Sequence, residues 1–195
     1  LVKDIDFGEV EAQFHEAVFT HASTSPNQQL IASLDVARRQ MELEGYGLVA
    51  NAIEIALDIR KEVNAHPVIS KYFKVLGADE MIPAEYRNTG FTDFLTPGVD
   101  WEDQVRSMHE DEFCLDPTRM TLVCGTAGFD GTQFKKLMAD EYDIQFNKTS
   151  RNSVLLQSNI NNTRSDVANL IRVLLEICNK IERELARGGE NGRAA

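Results

Sequence analysis

The sequence predicts an α/β protein whose first half is helical and whose second half contains a small sheet. Up to residue 65, apolar residues recur at helical spacings. Beyond residue 117, three short apolar or alternating runs predict strands, and two capping boxes predict helices between and after them. The order strand, helix, strand, strand, helix indicates a mixed sheet with helices on one face. We therefore divide the chain into residues 1–66 and 67–195.

Residues 25–65 are predicted to form two helices, or one long helix bent at glycines. Pro26 suits a first helical turn with Ser25 as its N-cap. The apolar faces on either side of Gly45-Tyr46-Gly47 consist of Leu30, Ile31, Leu34, Ala37 and Met41, and of Leu48, Ala52, Ile55, Ile59 and Val63. A shorter helix is predicted over Val10 to Val18. Because this half has no sheet of its own to cover, we expect its helices to pack on something outside the chain.

The second half has less regular signals. Between Pro67 and Pro117, frequent prolines and glycines predict irregular structure with a strand or two. The strands predicted after this region are Met120 to Cys124, the segment containing Ile144 and Phe146, and Ser153 to Ser158. The predicted helices begin with the capping boxes Asp130 to Gln133 and Thr163 to Asp166.

The charge balance excludes some classes of partner. The chain has 20 Lys and Arg residues against 31 Asp and Glu residues, so its formal net charge is −11. A negative chain repels phosphate backbones and anionic lipids, which argues against nucleic acid and membrane partners. Leu1 to Asp4 lacks the features of a signal peptide. Three cysteines without a Cys-x-x-Cys spacing favour a reducing compartment, so we expect a soluble, cytoplasmic protein.

Common catalytic and metal-binding patterns are absent from the sequence. The four histidines are scattered without a pair at metal-ligand spacing, so no metal site is predicted. No Gly-x-Ser-x-Gly motif occurs, and Cys124 lies in an apolar run where a structural, buried thiol is expected. Gly125 to Gly131 resembles a phosphate-binding loop but lacks the Lys-Ser/Thr pair of a Walker A motif. A chain-reversing turn is the favoured interpretation of this loop, and an anion site is the alternative.

The segment His21-Ala22-Ser23-Thr24-Ser25-Pro26 is the most unusual feature of the sequence. Three consecutive hydroxyl side chains before a helix start can donate hydrogen bonds beside backbone amides, which is how many proteins bind phosphate groups. An N-cap with local turn hydrogen bonds explains the same residues without a ligand. Both interpretations stay open on these residues alone.

Together with Ile31-Ala32-Ser33-Leu34-Asp35-Val36-Ala37, this segment resembles a pattern of the bacterial ornithine/lysine/arginine decarboxylases. Asp116 to Leu122 is similar to the Asp-Pro strand entry of these enzymes, and Gly128-Phe129-Asp130 is similar to one of their turns. Because the three matches occur in the family's order, they are more specific together than singly. The resemblance implies the aspartate-aminotransferase fold and a pyridoxal 5′-phosphate cofactor.

The resemblance also implies what this chain contains and what it lacks. The family's Schiff-base lysine lies in a Ser-x-His-Lys motif, and no His-Lys pair occurs here, so we assign no catalytic residue. Residues 1–66 would be the tail of the large cofactor domain with connecting helices, and residues 67–195 the small domain. Ser23 and Thr24 would bind the cofactor phosphate from the neighbouring subunit of a homodimer or larger assembly. The chain would then be the carboxy-terminal part of a decarboxylase and inactive alone.

Alternatives for the reaction stay open. The resemblance implies arginine, lysine or ornithine as the substrate of the parent enzyme, with arginine as the first choice. An aminotransferase of the same fold would bind the substrate α-carboxylate through an arginine of the small domain, for which Arg151 is the candidate. A surface arginine in a polar turn is the other interpretation of Arg151. A non-catalytic interaction module is a further possibility, because the lysine is missing.

Overall fold

The computed structural model describes residues 7–22, 25–95 and 99–191. The helices within these ranges are α1 Phe7–His21, α2 Gln28–Ala65, α3 Ala78–Met81, α4 Trp101–Ser107, α5 Gly131–Tyr142 and α6 Arg164–Asn191. The strands are β1 Lys74–Val75, β2 Arg119–Val123, β3 Lys148–Thr149 and β4 Ser153–Gln157. The chain divides into two compact units, of which the first ends at Gly45 and the second begins at Tyr46. No helix in the described ranges is both long and apolar enough to cross a membrane.

The first unit consists of α1 and the amino-terminal part of α2. Its large apolar side chains are exposed: Phe14, Phe19, Leu30 and Leu34 have between 62% and 80% of their surface open to solvent. Exposed apolar patches of this kind usually mark surfaces that another chain or segment covers. The expectation that these helices pack on something outside the chain stays a prediction.

Helix α2 is one continuous helix through both glycines, so the alternative of two separate helices is wrong. It begins at Gln28, and Asn27 caps it, since Asn27 Oδ1 accepts hydrogen bonds from the amides of Gln29 and Leu30 at 3.1 and 3.2 Å. The prediction of Ser25 as the N-cap is wrong, because an asparagine directly before the first turn makes the same capping bonds.

The four strands of the second unit form one antiparallel sheet in the order β1-β2-β4-β3. The prediction of a mixed sheet is wrong. If β3 lay beside β2, the connection through α5 would make a parallel pair. Instead β4, with Val154, Leu155 and Leu156, takes a central position, and the shorter, polar β3 forms the edge. The reversal between β3 and β4 then makes β4 antiparallel to β2.

The predicted strand containing Ile144 and Phe146 is also wrong, because β3 begins only at Lys148. Phe146 is buried and Ile144 is half-buried, while their neighbours are exposed. The alternating pattern therefore comes from a loop whose apolar side chains pack on the core. A loop can show the same alternation as a strand. The region between Pro67 and Pro117 contains β1, in agreement with the expectation of a strand or two.

One face of the sheet is covered by helices, as predicted. The register pairs Met120 with Leu156 and Leu122 with Val154, and all four side chains are buried. The helices α2, α5 and α6 add to the same core Ile55, Ile59, Val63, Phe134, Met138, Val167, Leu170, Val173, Leu174 and Ile177. At roughly 1.5–3 kcal/mol for each large apolar side chain that leaves water, this core is the main source of the unit's stability.

The buried side chain of Arg60 ties α2 to the sheet. Arg60 is 1% exposed, and its guanidinium donates hydrogen bonds to the carbonyls of Leu76 and Arg119 at 2.9 and 3.1 Å. Burial lowers the pKa of Arg60, while the carboxylates of Asp93 and Asp116 act in the opposite direction. The two carbonyls lie directly after β1 and at the start of β2, so one side chain holds one helix and two strands together.

We expect Arg60→Met to lower the free energy of unfolding by about 2–4 kcal/mol, because it leaves two carbonyls without their donor. Urea denaturation measures this loss. The control is Arg172→Met on the exposed face of α6, where an ion pair with Glu176 at 3.4 Å is worth about 0.5 kcal/mol or less. Equal urea midpoints for the two variants would show that Arg60 does not hold the helix to the sheet.

Candidate cofactor and substrate site

The predicted phosphate contacts, Ser23 and Thr24, lie outside the described residues. On their amino-terminal side, α1 ends at His21, whose Nδ1 lies 2.8 Å from the carbonyl oxygen of Ala17. On their carboxy-terminal side, Asn27 already pairs with two of the first amides of α2. A phosphate at this position would therefore depend on the hydroxyl side chains more than on those two amides. The role of Ser23 and Thr24 stays a prediction.

The loop from Gly125 to Gly131 is a turn, and it contains the carboxylate that caps the next helix, α5. Gly128 has a φ of 86°, a left-handed conformation that glycine adopts without strain. Asp130 then caps α5, since its Oδ1 accepts hydrogen bonds from the amides of Thr132 and Gln133, both at 2.8 Å. Because a negative side chain of the protein occupies these amides, the geometry favours the chain-reversing turn over an anion site.

Arg151 lies in the tight turn between β3 and β4, and its side chain is exposed. The backbone of this turn is firmly held: the carbonyl of Arg151 accepts a hydrogen bond from the amide of Gly131 at 3.1 Å. The next carbonyl, that of Asn152, accepts from the amides of Cys124 and Gly125 at 2.9 and 3.0 Å. The turn thus holds the backbone of Arg151 in a fixed position, and the carboxylate-binding role of its guanidinium stays a prediction. Arg151 belongs to the second unit and the hydroxyl segment to the first.

Gly131 makes this turn possible. A Cβ atom at this position would lie 2.1 Å from the carbonyl oxygen of Ser150 and 2.5 Å from that of Ser153. No side chain fits into that space, so a glycine is required where α5 begins against the turn. The close approach explains why the loop after β2 and the β3-β4 turn are packed together.

Three of the described lysines, Lys71, Lys74 and Lys180, form ion pairs. None of them is buried. Lys74 lies 2.7 Å from Glu80, and Lys180 lies 2.9 Å from the Tyr142 hydroxyl and 3.2 Å from Glu176. These hydrogen bonds raise the pKa of both amines. A nucleophilic lysine needs the reverse, because only the neutral amine attacks a carbonyl.

Two of the three cysteines are part of the hydrophobic core. Cys124 and Cys178 are fully buried in the core, and desolvation raises the pKa of each thiol to about 11. The expectation of a structural Cys124 is confirmed. Cys114 is exposed. Among the described residues, no group of three metal-ligating side chains comes together.

Solved structures with the same fold are lysine decarboxylases. The constitutive lysine decarboxylase of Escherichia coli matches 85% of this chain with a TM-score of 0.56 and 22% identity. The Francisella novicida lysine decarboxylase LdcF matches 88% with a TM-score of 0.55 and 23% identity. Each match covers 24% of the solved chain. At these identities the likeness establishes the fold.

The family follows from the sequence match. The sequence model described as "Orn/Lys/Arg decarboxylase, major domain" matches residues 5–166. The chain therefore belongs to the Orn/Lys/Arg decarboxylase family, which confirms the resemblance of its three motifs.

Curated relatives agree with this assignment. Lysine decarboxylase LdcA of Pseudomonas aeruginosa is 33% identical over 117 residues, which are 57% of this chain and 15% of the relative. The arginine decarboxylase of Bacillus cereus is 23% identical over 156 residues, 80% of this chain and 27% of the relative. The lysine decarboxylase of Hafnia alvei is 26% identical over 181 residues, 87% of this chain and 24% of the relative. The chain thus spans about a quarter or less of the length of these relatives.

We expect Gly131→Ala to lower the melting temperature strongly or to prevent folding, because the new Cβ collides with two backbone oxygens. The matched control is Gly47→Ala in α2, where an added Cβ meets nothing within 4 Å. Alanine there should stabilise the helix by about 0.5–1 kcal/mol. Thermal unfolding followed by circular dichroism measures both. A Gly131→Ala variant as stable as the wild type would mean that the turn is not held against α5.

We expect iodoacetamide at pH 8 to label Cys114 and to leave Cys124 and Cys178 unmodified until the protein is unfolded. A thiol with a pKa of about 11 has roughly a thousandth of its population as thiolate at this pH. Peptide mass spectrometry before and after addition of urea locates the label. Rapid labelling of either buried thiol under native conditions would contradict the core packing.

Proposed function

We propose that this chain is the carboxy-terminal part of a pyridoxal-phosphate-dependent decarboxylase that acts on a basic amino acid. The observation that carries the proposal is the family match over residues 5–166. The relatives named as lysine and arginine decarboxylases support a basic substrate. On this proposal the parent enzyme takes arginine, lysine or ornithine and is cytoplasmic.

The cofactor, when bound, supplies the electron sink that allows the substrate carboxylate to leave as carbon dioxide. The residues of this chain have supporting roles in that site. Ser23 and Thr24 would donate hydrogen bonds to the phosphate from the neighbouring subunit. In the second unit, the sheet and α5 fix the turn of Arg151, whose guanidinium is available to a substrate carboxylate.

The lysine that binds the cofactor covalently comes from outside these residues. This step is supported by the environment of the lysines in the described ranges, which are exposed or half-buried. Hydrogen bonds raise the pKa of Lys74 and Lys180 and so favour their charged form. The chain alone is therefore inactive. The exposed apolar side chains of the first unit support two partners, the remainder of the same enzyme and a second subunit.

The function is tested with protein expressed from the full gene, supplied with carboxyl-labelled arginine, lysine, ornithine and a set of neutral amino acids. We expect the fastest release of labelled carbon dioxide from one of the three basic amino acids. If transfer of the amino group to a keto acid is faster, the enzyme is an aminotransferase. If neither reaction occurs with cofactor present, the chain belongs to a non-catalytic module.

Substrate kinetics also test the role of Arg151. If it binds the substrate α-carboxylate, Arg151→Gln should raise the KM for every amino acid tested, by about tenfold for one lost charge-assisted interaction. Arg183→Gln, on the exposed face of α6, is the control. Kinetics within about twofold of the wild type would identify Arg151 as a surface residue of the turn.

The double substitution Ser23→Ala and Thr24→Ala in the full enzyme should weaken cofactor retention. Charge-assisted hydrogen bonds are worth about 1.5–3 kcal/mol each, so losing two lowers the affinity at least tenfold. Absorbance of the bound cofactor after dialysis measures retention. The control is Ser33→Ala within α2, whose hydroxyl bonds to the carbonyl of Leu30 at 2.8 Å. If the double variant keeps its cofactor like the control, the two hydroxyl groups do not bind the phosphate.

A further inference from the structure

A cavity of about 280 Å³ lies in the second unit, between the end of α5 and the start of α6. Its apolar lining comes from the core: Ile55 and Ile59 of α2, Met120 of β2, Leu156 of β4, and Val167 and Leu170 of α6. Because liquid water occupies about 30 Å³ per molecule, the space suits a small organic molecule. No sequence motif pointed to this site.

The other side of the cavity is polar and acidic. Its polar lining includes the carboxylates of Asp143 and Asp166 and the amide side chains of Gln145, Gln157, Asn162 and Asn169. No lysine, arginine or histidine is among the residues that line it. A ligand that matches this lining has an alkyl chain on one side and a positive charge on the other.

Asp143 is placed where folding alone would disfavour a carboxylate. It follows α5 with a φ of 55°, a left-handed conformation that aspartate tolerates better than most residues. Its negative charge, however, lies at the negative end of the helix dipole, where a neutral side chain would be more stable. Asp166 differs, because its Oδ2 accepts a hydrogen bond from the amide of Thr163 at 2.7 Å and so caps α6. Within the described part of the chain, Asp143 has no ion pair or side-chain hydrogen bond that offsets this cost.

We propose that this cavity binds a small linear aliphatic amine, with the ammonium group on Asp143 and the methylene chain against Ile55, Met120 and Leu156. A bound cation offsets the charge of Asp143 at the helix end, and the apolar wall shields the chain from water. The biological role of the site rests on the proposed function, because removal of carbon dioxide from a basic amino acid leaves a linear amine with two cationic ends. The cavity is then a second site for the product class of the enzyme.

Isothermal titration calorimetry of the 195-residue chain with 1,5-diaminopentane tests the proposal, with 1-pentanol as the uncharged control. We expect saturable binding of the diamine and none of the alcohol. Absence of diamine binding, or equal binding of both, overturns the site. The readout is independent of turnover: a chain that binds the diamine while the full enzyme releases no carbon dioxide contradicts the proposed function and leaves the site in place.

Two variants separate binding from folding. Asp143→Asn should raise the Kd for the diamine about tenfold, as for one lost charge-assisted hydrogen bond, and should also raise the melting temperature, because it removes a negative charge from the negative end of the helix dipole. The matched control is Asp140→Asn, which removes the same charge from the same end of α5 outside the cavity lining and should leave the Kd unchanged. Wild-type affinity in Asp143→Asn, or an equal loss in the control, overturns the role of Asp143.

Discussion

The buried guanidinium of Arg60 is the interaction on which the arrangement of the second unit depends. It lies on α2 beside the apolar residues Ile59 and Val63, so the helix surface that packs on the sheet carries one charge. Burying a charge is costly unless hydrogen bonds compensate it, and here the carbonyls of Leu76 and Arg119 accept hydrogen bonds from the two terminal nitrogens, while Nε is buried without a partner among the described residues. The apolar side chains of α2 and the hydrogen bonds of Arg60 therefore hold the helix against the sheet together, and the guanidinium adds a directional contact to both β1 and β2.

The residues at the start of α5 stabilise the fold, whereas the residue at its end lowers the stability of the helix. At its start, Asp130 caps the helix and Gly131 admits the turn of Arg151, so each residue suits the fold. At its end, Asp143 occupies a left-handed position at the negative end of the helix dipole, where a neutral residue would be better for stability. Natural proteins keep such locally unfavourable residues mainly where they bind or react. The start of α5 therefore has a structural role, and its end carries the candidate amine site.

Local sequence signals correctly predicted those elements whose formation depends on residues that are close together in the sequence. Helical periodicity predicted α2, α5 and α6, and the capping box of Asp130 with Gln133 is present in the structure. The order of the strands was not predictable, because it depends on β4 competing with β3 for the place beside β2. The burial of Arg60 and the cavity at Asp143 were missed for the same reason: both require residues far apart in the chain. For the site, sequence motifs identified the family, whereas the roles of Ser23, Thr24 and Arg151 stay predictions.

The central claim is that this chain supports a cofactor site whose covalent lysine it does not contain. Borohydride reduction of the cofactor-loaded protein from the full gene, followed by peptide mass spectrometry, tests that claim most directly. We expect one modified lysine, located outside the present sequence. Stoichiometric modification of one of the chain's own lysines, which are Lys3, Lys61, Lys71, Lys74, Lys135, Lys136, Lys148 and Lys180, would contradict the account.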